Sequence, residues 1–133
     1  MSHHLPELRA ALLTLHKTLV DSERISYEQT IGTVPSPNHF LQLLTSDPWF
    51  AWLHPLSLLI VTMDQALDSK RKPLTDADAE ELVKQTCLLL VASEEGEGFP
   101  KHYFDALQRD PAVVLDHAAA AKFFGIRKNG GRI

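Results

Sequence analysis

Leu5-Pro6-Glu7-Leu8-Arg9-Ala10-Ala11-Leu12-Leu13-Thr14-Leu15-His16-Lys17-Thr18-Leu19 decides the fold. Its leucines at 5, 8, 12, 15 and 19 return at steps of three and four, the period at which side chains line one face of an α-helix. A half-buried strand would alternate every second residue, and no stretch of the chain sustains that alternation. Leu13 and Val20 widen the stripe. Pro6 suits a first helical turn, where its missing N–H would be unpaired anyway. Glu7 suits the positive helix end. The spacing predicts one helix from Pro6 to about Gln29, ended by Gly32 and Pro35.

The same devices recur along the chain. Ser36-Pro37 predicts a cap and a short helix through about Leu44, and Asp47-Pro48 opens the next one. That helix carries Trp49, Leu53, Leu56, Ile60, Met63 and Leu67 on one side. Pro55 lies inside it, removes a backbone donor and crowds the carbonyl four residues back. A kink near Ala51 to Pro55 is expected, with two shorter helices meeting there as the alternative. Ser69 to Pro73 is a charged connector. Thr75-Asp76-Ala77-Asp78 reads as a cap with acidic residues in the first turn. Ala79, Leu82, Val83, Thr86, Leu89, Leu90 and Ser93 then form an apolar face, and Glu94 to Gly98 an exposed loop. Pro100 opens a short helix to about Gln108 with Tyr103, Phe104 and Leu107 inward. Asp110-Pro111 opens the last helix, to about Phe124, stopped by Gly125. Leu58 to Val61 and Leu88 to Val91 would pass for buried strands alone, but each sits inside a helical pattern. The expectation is an all-α protein: an antiparallel helical bundle of three long helices plus two or three short ones, one long helix kinked near Pro55.

The 133 residues suit one domain, read as 1–125 with a flexible tail at 126–133. Apolar residues make up 44%, enough for a core without a disulfide or structural metal. The net charge of −4 argues against nucleic acid, whose binders carry a basic excess. The cluster Arg127, Lys128 and Arg132 reads as a solvated tail. Cys87 has no partner for a disulfide, which fits a reducing compartment. Met1 to His4 has no signal-peptide pattern, and Leu56 to Met63 is too short to span a bilayer. These features give a cytoplasmic protein with no membrane contact.

One polar constellation invites a site. His16, Val20, Glu23 and Tyr27 share a face of the first helix, and His54, Ser57, Val61 and Asp64 share a face of the kinked one. If the faces meet, His16, Glu23, Tyr27, His54 and Asp64 line a pocket between helices, with Trp49 and Trp52 close by. The plainer alternative is that His16 and Glu23 make flank contacts while Tyr27 caps the core. Trp49, Phe50 and Trp52, near Phe40, read first as a packed mini-core and second as a ligand or partner anchor. Metal binding has no motif: the chain lacks paired cysteines, His-Glu-x-x-His and the Glu-x-x-His pairs of di-metal bundles. No cofactor and no catalytic residue is assigned. No serine sits in a nucleophile elbow, no glycine-rich loop cradles phosphate, and Cys87, mid-helix beside Leu88 to Leu90, reads as a small buried hydrophobe. Asp116-His117 precedes four alanines, which favour helix and permit close packing within or between chains.

Two segments, His16-Lys17-x-Leu19-x-Asp21-x-Glu23-Arg24-x-x-Tyr27-Glu28 and Asp47-Pro48-Trp49-Phe50-Ala51-Trp52-Leu53-x-Pro55-Leu56-Ser57-x-Leu59-Ile60, resemble a small all-helical family of bacterial proteins of unassigned function. The resemblance implies a helical fold and a bacterial source, and carries over no activity, cofactor or catalytic residue. The functional expectation is a non-enzymatic bundle acting through protein contacts, as a homodimer or with a protein partner. The alternative is a bundle that binds a small ligand or metal in the polar pocket, an enzyme by that route.

Overall fold

The computed structural model describes residues 4–68 and 72–124. These form an all-α fold with six α-helices and no strand among the described residues. Most of Ser69 to Pro73, all of the 126–133 tail with Arg127, Lys128 and Arg132, and the stop at Gly125 lie outside them.

Helix α1, Leu5–Thr30, is the spine. At 1.5 Å per residue it is about 39 Å long. Leu5, Leu8, Leu12, Leu15 and Leu19 are fully buried. Each contributes about 1.5–3 kcal/mol through that burial. Leu13, expected to widen the stripe, is exposed, because it is turned about 100° from Leu12 toward solvent.

Helix α2, Pro37–Ser46, is capped by Ser36 Oγ, which accepts from His39 N at 3.1 Å. A 3-10 turn, Pro48–Leu53, then precedes α3, His54–Asp68. The single kinked helix expected there is thus two pieces. Pro55 has no N–H for the carbonyl of Ala51, and that carbonyl takes the N–H of His54 instead, in the tighter 3-10 register. Taken together, Pro48–Asp68 is long and apolar enough to cross a membrane by length and composition. Its Phe50, Trp52, Leu53, Leu56, Leu59, Ile60 and Met63 are buried within the protein.

Helix α4, Asp76–Leu89, begins with a full capping box between Thr75 and Asp78. It stops a turn before Ser93. Leu90 drops out of helical geometry at φ −81°, ψ 55°, and Val91 N donates to Leu89 O at 2.8 Å, an inverse γ-turn that buries the Leu90 side chain. Cys87 is exposed, contrary to the buried position expected of it. The face that packs inward is Ala79, Leu82, Val83 and Thr86, and position 87 follows Thr86 round to solvent.

Helices α5, Phe99–Arg109, and α6, Pro111–Ala121, are joined by Asp110 alone. Gly98 enters α5 at φ 66°, a backbone that glycine adopts without strain. Asp110 Oδ1 caps α6 by accepting from Ala112 N at 3.0 Å. Helix α6 ends a turn earlier than expected, and Phe123 and Phe124 fold back onto the core. Helix α1 packs against α3, α5, α6 and the 3-10 turn, while α4 lies against α3. Arg9–Asp64 and His16–Ser57 set α3 antiparallel to α1. His4–Phe123 and Thr18–Asp116 set α6 antiparallel to it on the other flank.

Candidate functional site

The structure divides the seven candidate residues among separate places. The antiparallel register is the reason. Two turns up α1 from Arg9 correspond to two turns down α3 from Asp64, so the seam reaches the start of α3 soon after His16. Glu23 and Tyr27 lie beyond that start and meet the 3-10 turn and α5 instead.

Asp64 takes Arg9 in an ion pair of 2.6 Å at the outer end of the seam. Both side chains are part-exposed, so the pair contributes little, about 0–1 kcal/mol.

His16 and His54 do converge. They line a cleft of about 200 Å³ with Val20, Leu44, Phe50 and Ser57. His16 Nε2 is 2.7 Å from Ser57 Oγ. Burial pushes the His16 imidazole below its ordinary pKa of 6.5, so the ring is neutral at pH 7. Ser57 Oγ also lies 3.4 Å from Leu53 O, a poor hydrogen bond. The tautomer of the ring sets the direction of the short contact: with the ring proton on Nδ1, Ser57 donates to Nε2, and with it on Nε2, His16 donates to Ser57 Oγ and Ser57 to Leu53 O.

Glu23 and Trp49 line a second cleft of about 280 Å³, while Tyr27 packs against Trp49 and Trp52 against His102. The cleft lies between α1, the 3-10 turn and α5, and is lined by Glu23, Ser26, Trp49, His102, Asp105 and Arg109. Glu23 is buried and accepts from Arg109 Nη2 at 2.7 Å. Arg109 also donates to Ser22 Oγ from Nε and Nη2, which fixes the guanidinium plane. Trp49 packs edge-on to Tyr27 with ring centroids 5.6 Å apart. Phe50 lies against both Tyr27 and Phe40, so the aromatic cluster is a packed mini-core. Trp52 turns the other way, stacking on His102 at 5.4 Å and meeting Phe99 at 5.2 Å. The indole N–H groups of Trp49 and Trp52 are buried without a hydrogen-bond partner. Such orphans are uncommon in folded proteins.

The sequence reading missed the polar contacts of α5 and α6. Tyr103, fully buried, places its hydroxyl 2.6 Å from His117 Nδ1. Burial and then the Asp116 charge push the phenol pKa up, while burial pushes His117 down. Thr18 Oγ1 donates to Asp116. Asp116 and His117 are the only polar residues of α6, and both face inward. The outward side is Ala112, Val114, Leu115, Ala118 and Ala119, with Leu115 71% exposed. An inverted helix gives no clean periodic signal. The available clue was the Asp116-His117 pair alone in an otherwise apolar segment.

No group of three His, Cys, Asp or Glu side chains placed to hold a metal occurs among the described residues. Comparisons of the chain with protein-family models, curated proteins and solved structures found no match.

Proposed function

We propose that the protein acts through protein contacts, pairing with a second copy of itself through α6. The observation that carries this reading is the inversion of that helix: its two polar side chains turn inward and its apolar side turns to solvent. Contiguous exposed apolar surface marks interaction sites. The occupant follows from the face itself. Ala112, Ala118 and Ala119 flank Leu115 and allow two helix backbones to approach closely. An antiparallel crossing about a two-fold axis brings Lys122 at one end of α6 toward Asp110 at the other end of the second copy. It also opposes the two helix dipoles favourably. Helix α6 is about 16 Å long. One helix pair of that length falls short of the roughly 800 Å² per partner of a standard interface, so the dimer is weak and concentration-dependent.

The net charge of −4 supports a protein partner over a nucleic acid, and a single cysteine supports a reducing, cytoplasmic setting. Sedimentation equilibrium tests the pairing. The wild-type chain should dimerise with rising concentration, and Leu115→Glu, at an exposed position, should remain folded and monomeric. A wild-type chain that stays monomeric at several hundred micromolar, as Leu115→Glu does, would end the proposal.

A second reading is favoured by the unpartnered Trp49 N–H in the lining of the Glu23–Arg109 cleft. That cleft, with Glu23, Asp105 and Arg109 in its walls, suits a small polar ligand whose entry would shift the Trp49 ring and free its N–H to donate. Tryptophan fluorescence during a metabolite screen tests it, with Trp49→Phe as the control that should abolish the response.

A further inference from the structure

The cleft that holds His16 and His54 carries a different chemistry from the α6 face. We propose that Ser57 and His16 form a nucleophile–base pair for acyl transfer from small esters, with Ser57 Oγ as the attacking atom.

The geometry has the parts such a step needs. A serine hydroxyl is a weak nucleophile until a neighbouring base takes its proton. Ser57 Oγ and His16 Nε2 are 2.7 Å apart, within the range for direct proton transfer, and the Nδ1–H tautomer of the ring leaves Nε2 free to accept. The pair is half-buried at the α1–α3 seam, on two helices fixed by the packed leucines beneath, so the contact is held by rigid elements. Burial of His16 keeps the imidazole unprotonated at neutral pH, the state a base requires. The other walls are Val20, Leu44, Phe50 and Leu53, all apolar, and Thr45. At about 200 Å³ the cleft is smaller than the usual pocket for a drug-sized ligand. It therefore suits a short acyl group and excludes a long one.

In the first half-reaction Ser57 Oγ bonds to the ester carbonyl carbon while its proton moves to His16 Nε2. The carbonyl oxygen takes the negative charge, and His54, lining the same cleft, can donate to it, while the Thr45 hydroxyl already donates to Gln42 O. The ester C–O bond then breaks, and His16 returns the proton to the departing alkoxide. Water repeats the sequence on the acyl-serine: His16 takes a water proton, the new C–O bond forms, and Ser57 leaves with its proton restored. The net change is an ester and water to an acid and an alcohol, with no other reactant.

The test is labelling of the full chain with a fluorophosphonate probe, with the modified residue located by mass spectrometry, alongside hydrolysis of p-nitrophenyl butyrate. The wild-type chain should be labelled at Ser57 and should hydrolyse the ester. Ser57→Ala should lose both, and His16→Gln should lower both by at least about a hundredfold. Far-ultraviolet circular dichroism keeps a folding defect distinct from a chemical one. Should His16→Gln unfold, His54→Ala, at an exposed position, provides the second arm: it should slow hydrolysis about tenfold or more without altering helix content. The ester rate should fall only below pH 6.5, as His16 gains its proton. Absence of Ser57 labelling, or a wild-type rate equal to that of Ser57→Ala, would overturn the proposal. So would labelling of Ser57 that a folded His16→Gln leaves unchanged.

Discussion

Helices α1 and α6 pack along each other, yet they bury opposite kinds of side chain. Helix α1 hides a row of leucines and sends its charged residues outward or into paired contacts. Helix α6 hides only Val113 and Ala120 fully, directs Asp116 and His117 inward, and leaves its larger apolar side chains in solvent. The first helix is held by area removed from water, the second by hydrogen bonds and close small-residue contact. That difference says where stability resides and where a surface is left over for a partner.

The largest expected effect lies on the α1 side. Leu12→Ala or Leu15→Ala removes a fully buried side chain and should cost about 2–5 kcal/mol in urea unfolding. Leu115→Ala on α6 should stay within about 0.5 kcal/mol for the monomer. Equal costs at the two sites would erase the distinction between the helices. Next comes Arg109→Met, which leaves the buried Glu23 carboxylate without its cation. Arg109 is itself about a third exposed, so the loss is moderated by solvent, to about 1–3 kcal/mol. Replacing Glu23 with Gln in the same background should recover part of it, because the uncharged side chain no longer needs the ion pair.

A smaller effect depends on acidity. Burial holds both His16 and His117 below the usual value of 6.5. The unfolded chain therefore takes up protons first as the pH falls. Stability is insensitive to these groups above about pH 6.5 and is lost progressively below it, down through the lowered folded-state values. His117→Gln should flatten that decline by loosening the Tyr103 contact at every pH instead. Thermal melts between pH 4 and 8 read this directly, and a wild-type profile no steeper than that of the double His→Gln variant would contradict the assigned burial. Smallest of all is Cys87. Being exposed, it should react with a thiol reagent in the folded state as fast as in urea, and Cys87→Ser should change stability by less than about 0.5 kcal/mol.

The same contrast explains what could be read from the chain alone. The α1 stripe was legible because leucine recurs at the helical period, and the Ser36, Asp47, Thr75 and Asp110 caps because each places an oxygen acceptor just before a helix. The break at Pro55 was legible as a kink but not as a change of helix type, since a missing donor marks the place and not the register that replaces it. The ends of α4 and α6 were overrun because apolar residues continue past both, and packing rather than a breaker turns the chain there. Spacing along one element did not assign neighbours: Trp49 and Trp52, three apart, turn to Tyr27 and to His102. The sequence had no means of setting the α1–α3 register, which sends His16 and His54 to one cleft, Glu23 and Trp49 to another, Tyr27 and Trp52 into the aromatic packing, and Asp64 to Arg9. Arg109, Tyr103 and His117 stayed hidden because each acts through a partner far along the chain.

The outward apolar side of α6 is tested most directly by pulsed dipolar spectroscopy on a chain carrying one nitroxide at Val114→Cys in a Cys87→Ser background. Two α6 helices crossing antiparallel should give a single well-defined interspin distance that Leu115→Glu abolishes. A concentrated sample with no dipolar modulation, or with the same modulation in the Leu115→Glu variant, would contradict the pairing.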